Sequence, residues 1–413
     1  MRRRDFLKLA GAISLGGCAS SAPPKARVVV IGGGFGGATA AKYVRLWDPA
    51  IEVALIEREP AFISCPISNL VLGGFAGMQD ITRGYEGLRR HGVQVIRDEA
   101  SAIDAAKKTV RLASGAVLGY ERLIVSPGVD FDFGEIQGYE PAMQAGSVLH
   151  AWKAGPQTVA LRRQLEAMRD GGTYILTIPL APYRCPPGPY ERASVVAAYL
   201  KQAKPRSKVL VLDANPDVTS KGPLFKRAWN DLYKGIVEYR GNANVVAVGP
   251  GSVRTDFDTV KGDVLNVVPP HRAADIARKS GLITTDNRWC DVDWRTMESK
   301  AVKGVHVLGD ATLSAPAMPK SGSMANNHAK IAAAAMVELV NGRMPEPLKI
   351  INTCYSFVAE KEAIRVSSVH QWEPSQGTLV AVKGSGGVSS ARSEAEATYA
   401  WNWARTIWAD SFA

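Results

Sequence analysis

The chain has 413 residues, 46% hydrophobic and 22% charged, with 39 glycines and 24 prolines. That balance excludes a disordered chain, a fibre or a polytopic membrane protein, and the length allows about two to four domains. The formal charge of +11 favours an acidic partner. The basic residues are scattered, without an aromatic-interleaved stripe, so nucleic acid is not an expected ligand.

The chain opens Arg2-Arg3-Arg4-Asp5-Phe6-Leu7-Lys8, followed by a short apolar run from Leu9 to Gly17. This pattern reads as a twin-arginine export signal, and residues 1–25 are assigned to it rather than to the fold. The run is too short to span a bilayer. Leu15-Gly16-Gly17-Cys18 also resembles a lipoprotein cleavage box, which would make Cys18 a lipid anchor. The expected compartment is the periplasm, reached by a route that exports folded proteins and so permits cofactor loading beforehand. Thiols there meet an oxidising environment.

Arg27 to Ile31 is β-branched and reads as a buried parallel strand. Gly32-Gly33-Gly34-Phe35-Gly36-Gly37 follows at once, then a helical stretch from Ala38 to Leu46. Strand, G-x-G-x-x-G and helix together form a dinucleotide fingerprint: Gly32, Gly34 and Gly37 let the backbone turn tightly and approach a pyrophosphate. Phe35 and Gly36 complete the loop. A second strand, Glu52 to Ile56, ends at Glu57 and Arg58, with Glu57 placed to accept ribose hydroxyls and repel a 2′-phosphate.

Two later segments resemble those of two-dinucleotide-domain flavoproteins and point to FAD. Tyr120 to Gly128 resembles the strand closing the flavin domain, and Gly304 to Asp310 the late strand ending in Gly309-Asp310. In that resemblance Asp310 contacts the ribityl–pyrophosphate region. A small-residue helix from Ser323 to Val340 follows, and Lys320 before it is placed to reach the flavin N1–C2=O edge.

Between these segments lies a second βαβ unit: strand Thr173 to Ile178, helix Glu191 to Gln202 and strand Lys208 to Leu212. Its turn, residues 179–190, holds five prolines and a single glycine. Such a loop cannot supply the turn that pyrophosphate needs, so NADH is not expected here. Cys185 sits in that loop instead. Setting Cys18 aside, Cys65, Cys185, Cys290 and Cys354 remain. They allow three pairings, show no metal spacing and include no haem-attachment motif, so no haem or metal is expected in this chain. Cys290 reads as a buried thiol. Glu191, six residues after Cys185, reads either as a base or as a first-turn acid stabilised by its helix.

Three segments then carry a closer resemblance: Ser64-Cys65-Pro66-Ile67-Ser68-Asn69, Arg184-Cys185-Pro186-Pro187-Gly188-Pro189-Tyr190-Glu191-Arg192-Ala193-Ser194, and Asn352-Thr353-Cys354-Tyr355-Ser356. They resemble the flavoprotein subunit of flavocytochrome c sulfide dehydrogenase, over about Arg27 to Phe412. The resemblance implies an α/β fold of two Rossmann-like dinucleotide-binding domains, as in glutathione reductase and sulfide:quinone oxidoreductase, plus a C-terminal α+β interface domain. The flavin domain would comprise 26–138 and 272–343, the second domain, without a functional NAD loop, 139–271, and the interface domain 344–413. It implies FAD held through Cys65, with Pro66 standing where an aromatic is expected. It implies a redox-active disulfide of Cys185 and Cys354, with Glu191 as base. The acceptor implied is a c-type cytochrome subunit, with Trp403 on the electron path. Residues 375–398 are polar and lack a long apolar stripe, so membrane insertion of the mature chain is not expected. The alternatives are a sulfide:quinone or NADH-dependent flavoprotein reductase and a non-enzymatic flavoprotein partner of a sulfur-carrier system.

Overall fold

The computed structural model describes residues 23–413. The twin-arginine segment and Cys18 lie outside the described residues.

Ala26–Ile31 is an interior strand of a seven-stranded sheet. It pairs in parallel with Ile51–Ile56 on one side and Arg122–Val125 on the other. Val93–Ile96 and Val305–Val307 extend the sheet outward, also in parallel. Continuous Val/Ile runs suit a sheet covered on both faces, and Val28, Val29 and Val30 are fully buried. One cover is the helix Phe35–Trp47, and the long helix Gly322–Val340 packs directly on it. Alanines along both helices, among them Ala38, Ala41, Ala329 and Ala332, are fully buried and permit the close approach.

The chain leaves this sheet through Val129–Phe131 and returns through His271–Ala273, two short antiparallel strands lying side by side. Between these crossings it builds a second, all-parallel sheet of five strands, centred on Thr173–Ile178 and Lys208–Asp213. The helix Gly188–Ala203 follows the proline-rich loop. It starts three residues before the expected Glu191, because prolines in a first turn forfeit no hydrogen bond.

The C-terminal part is an antiparallel sheet, led by the hairpin Ile350–Phe357 and Ala363–Glu373, followed by the helix Glu394–Phe412. Together the three sheets form an α/β architecture with two Rossmann-like layers and a terminal α+β unit. No helix among the described residues is long and apolar enough to cross a membrane.

Candidate active site

The glycine loop is shaped by backbone crowding. Gly32 has φ of +95°, and a Cβ there would lie 2.3 Å from the Ser126 carbonyl oxygen. A Cβ on Gly37 would lie 1.8 Å from the Gly32 carbonyl oxygen, and one on Gly36 2.3 Å from Leu308 Cδ1. Gly34, the N-cap of Phe35–Trp47, has open space on its Cβ side apart from Phe62 at 4.0 Å. The loop therefore packs tightly against the sheet and leaves a free edge at a helix N-terminus, the arrangement that accepts a pyrophosphate. Phe35 is buried against Phe62, ring centroids 4.9 Å apart. Glu57 Oε2 accepts from the Gly33 N–H at 2.6 Å, which fixes the acid against the loop. Arg58 lies at the surface, paired with Glu99 at 3.4 Å and Glu59 at 3.6 Å.

At the same carboxyl edge of the sheet, two strands away, Gly309 has φ of +74° and turns the chain into Asp310. Asp310 Oδ1 is buried without a hydrogen-bond partner. Burial pushes this carboxyl up, while Arg184 and Lys320 pull it down. An unmatched buried acceptor beside the glycine loop fits a hydroxylated ribityl chain, so the residues present suit FAD. Lys320 does not reach outward. Its buried ammonium donates to the Asp310 carbonyl at 3.2 Å and to the Thr312 carbonyl, and it stands 3.7 Å above the Trp289 ring. Burial pushes it down to about 7. Arg184 is a further buried cation here, and its charge acts on Cys65, Asp310 and Cys185.

The three motif cysteines meet in one cavity of about 70 Å³ that opens to solvent. Cys65, Cys185 and Cys354 line it, together with Trp152, Arg184, Glu191, Tyr355 and Trp403. Cys65 lies just before the short helix Ser68–Gly73, its thiol 3.6 Å from the Trp152 carbonyl oxygen. Cys185 has φ of +59° and Ile67 φ of +76°. Left-handed backbone at side-chain-bearing residues costs energy, and here it brackets the cavity. Cys185 is tied to the flavin domain through its N–H, which donates to the Lys320 carbonyl at 2.8 Å. Cys185 and Cys354 line the same cavity, each as a thiol. Cys290 is a fully buried thiol away from this cavity, and burial pushes it up to about 12.

Glu191 joins the two cysteine-bearing elements. Its Oε2 accepts from Asn69 Nδ2 at 2.7 Å and its Oε1 from the Phe357 N–H at 2.8 Å. Burial pushes its carboxyl up, against the pull of those two donors and of Lys221 and Arg192. Arg192 beside it is buried and fully employed, donating to Asn69, Asn266 and the carbonyls of His150 and Ala151. Sequence reasoning gave no role to Asn69, Trp152, Arg184, Arg192 or Lys221. Asn69, Arg184 and Arg192 stand inside the cysteine motifs, which is the available signal. Lys221 had none, because only the fold brings it under Cys354.

The place of a nucleotide loop in the second sheet is filled by the protein's own side chains. Asp213, at the carboxyl end of its strand, accepts from Tyr190 at 2.8 Å, Tyr239 at 2.9 Å and Asn215 at 2.7 Å. An acid so engaged has no free oxygen for a ribose.

Three family models cover the chain in succession. Residues 26–161 match the pyridine nucleotide-disulphide oxidoreductase model. Residues 158–269 match the central part of the sulfide dehydrogenase (flavocytochrome c) flavoprotein chain, and 346–412 the flavin-binding part of flavocytochrome c sulphide dehydrogenase. The mouse mitochondrial sulfide:quinone oxidoreductase is 26% identical over 309 residues, 69% of this chain and 65% of that protein. The chain thus spans just under two thirds of that relative's length. The solved sulfide:quinone oxidoreductase of Aquifex aeolicus superposes with a TM-score of 0.75 at 19% identity, covering 93% of this chain and 91% of that one. That likeness shows a shared fold. The flavoprotein chain of sulfide dehydrogenase (flavocytochrome c) from Chlorobaculum thiosulfatiphilum is 62% identical over 45 residues, 11% of this chain and 94% of that sequence. With that identity, two matching models and a cavity built from all three cysteine motifs, the chain belongs to the family of flavocytochrome c sulfide dehydrogenase flavoprotein chains.

Proposed function

We propose that this protein is an exported, periplasmic sulfide:cytochrome c oxidoreductase that uses FAD and a Cys185–Cys354 redox pair. The observation that carries the reading is the convergence of Cys65, Cys185 and Cys354 on one cavity beside Arg184 and Asp310. In the oxidised pair, hydrosulfide attacks one sulfur, a new S–S bond forms, and the other sulfur leaves with the bonding electrons. Glu191 lines the cavity, and burial keeps its carboxyl above the ordinary range, where it can take a proton from H₂S or from the persulfide. FAD, when bound, supplies a two-electron acceptor that releases its electrons singly. Gly32, Gly34, Gly36 and Gly37 would hold its pyrophosphate, Glu57 its ribose and Asp310 its ribityl chain, with Cys65 as the covalent tether. Trp403 borders the same cavity and offers an aromatic route to a c-type cytochrome docked over the terminal helix.

The test is an anaerobic titration with sulfide, following flavin absorbance, with NADH as control. Bleaching by sulfide and not by NADH, reversed by a c-type cytochrome, is the expected result. Bleaching by NADH alone would overturn the reading. The match to sulfide:quinone oxidoreductases favours one second reading, a quinone acceptor. It predicts re-oxidation by a soluble quinone analogue and none by cytochrome. Flavin that stays with the acid-precipitated protein would establish the Cys65 tether.

A further inference from the structure

Lys221 occupies a position that protein chains avoid without cause. Its backbone is left-handed, with φ of +57°, and it serves as the N-cap of the helix Gly222–Leu232 without a side-chain cap. Its side chain leaves solvent altogether, with 7% of the residue exposed. The ammonium reaches beneath the strand that carries Cys354. It donates to Ser356 Oγ at 2.8 Å, to the Cys354 carbonyl at 3.2 Å and to the Ile364 carbonyl at 3.5 Å. All three acceptors are neutral. A buried cation hydrogen-bonded only to neutral oxygens has no anion in direct contact to offset its desolvation.

The groups facing it come from four elements. Cys354 stands on the strand Ile350–Phe357, Glu191 on the helix Gly188–Ala203, Cys185 in the proline loop and Glu396 on the terminal helix. Glu191 already satisfies Asn69 and the Phe357 N–H with its two oxygens. Cys354 couples to Lys221 most strongly among the four. Its thiol also has Asn352 Oδ1 at 3.4 Å. Cys185 has Arg184 as its leading cation instead, and that guanidinium is shared with Cys65 and Asp310.

We propose that Lys221 is the positioning residue that makes Cys354 the sulfur released as thiolate when the disulfide opens. The inference rests on the sulfide-oxidising reading for its substrate. Hydrosulfide bonds to Cys185 Sγ, the Cys185–Cys354 bond breaks, and Cys354 departs with the electron pair. The single proton stays on the new Cys185 persulfide. The released negative charge then forms beside an ammonium already in place, and a better-stabilised leaving thiolate departs faster. Attack in the opposite sense would place that charge on Cys185, whose leading cation, Arg184, is shared with Cys65 and Asp310.

The experiment reads the thiols directly. The flavin-loaded protein is reduced with dithiothreitol, alkylated with iodoacetamide over a pH series, and mapped by mass spectrometry at Cys185 and Cys354. In the wild type Cys354 alkylates at lower pH than Cys185. In Lys221→Met its midpoint rises by about one unit or more, an approximately tenfold slower reaction near neutral pH. Lys221→Arg retains the wild-type order. An unchanged Cys354 midpoint in Lys221→Met overturns the proposal. Should the Met variant not retain flavin, the wild-type order alone decides, and Cys185 titrating below Cys354 overturns it. No sulfide enters this assay, so failure of sulfide to bleach the flavin would defeat the functional reading without deciding the role of Lys221.

Discussion

Burial pushes the thiols of Cys185 and Cys354 up together, but the groups that pull them back down differ, Arg184 and Lys221 for the first and Lys221, Ser321 and Asn352 for the second. Two sulfurs in one cavity with unlike surroundings are suited to unlike roles in disulfide exchange. Replacing either by serine removes the exchange and leaves the dinucleotide loop untouched. Cys185→Ser and Cys354→Ser are therefore expected to retain FAD and lose sulfide-driven bleaching, read in the same anaerobic titration. Wild-type bleaching in either variant would defeat the disulfide mechanism. Glu191 carries a second prediction. Its carboxyl is raised by burial, so folding disfavours the charged form. The associated stability falls as pH rises from the unfolded value through the folded one. Glu191→Gln should flatten that segment of a thermal-melt pH profile. The amide also presents an N–H₂ to one of two donors, Asn69 or the Phe357 N–H, which costs about 1–3 kcal/mol. Sulfide-driven bleaching should slow by about 100-fold or more. The cysteines and Glu191 were legible because they sit in short, unusual motifs. Lys221 was not, since it acts through acceptors far away in sequence, and a single lysine carries no pattern.

At the scale of elements, the glycine loop works because two backbones approach closer than any side chain allows. Gly37 lies on the first turn of its helix, and its missing Cβ is what admits the Gly32 carbonyl. A methyl group 1.8 Å from that oxygen cannot be relieved by turning a side chain, since the neighbour is backbone. Gly37→Ala should displace the strand–helix turn and yield protein without bound flavin, measured as the ratio of flavin to protein absorbance. Full loading would show that the loop tolerates rearrangement. The helix Gly322–Val340 is fixed differently. Ser321 caps it, accepting from the Met324 N–H at 3.1 Å and donating to Asn352 Oδ1 at 2.9 Å, two residues from Cys354. Ser321→Ala should cost about 1 kcal/mol, seen as a few degrees in the melting midpoint. Strand, glycine loop, helix and acid could be read from the sequence because each follows a local rule of period and turn chemistry. The sequence also placed Lys320 at the flavin edge, and its ammonium is held by Trp289 and the carbonyls of Asp310 and Thr312. Those partners come from packing that no local rule expresses.

Across the whole molecule, the cavity exists because the C-terminal unit is fastened back onto the first helix. Thr39 Oγ1 donates to Ser411 Oγ at 2.9 Å across 372 positions of sequence. Lys42 donates to the carbonyls of Ala409 and Asp410, matching a cation to the C-terminal end of Glu394–Phe412. The Phe412 ring stacks on Phe62 at 4.6 Å, three residues before Cys65. The order of the domains could be read from the chain, but this clasp could not: polar residues on a terminal helix look the same whether they face water or another domain. At its centre is Asp410, which accepts from Tyr43 at 2.5 Å and Asn326 at 2.7 Å and pairs with Lys330 at 2.9 Å. Burial pushes its carboxyl up, but the Tyr43, Asn326 and Lys330 donors outweigh that and hold it below the usual carboxylate range. A carboxyl depressed by folding contributes stability that is complete above the unfolded value and is lost as pH falls through the folded one. Asp410→Asn should therefore be less stable than wild type near neutral pH by about 1–3 kcal/mol, the worth of hydrogen bonds to a charged group. The difference should shrink as pH falls through the depressed folded value, where the wild-type carboxyl also becomes protonated. Thermal melts of both proteins over that range check it, and a difference that persists unchanged in acid would place the fastening elsewhere. The same helix carries Trp403 to the mouth of the cysteine cavity. Loosening it in acid should therefore expose the Trp403 indole, read as quenching of tryptophan fluorescence by added iodide in step with the loss of stability.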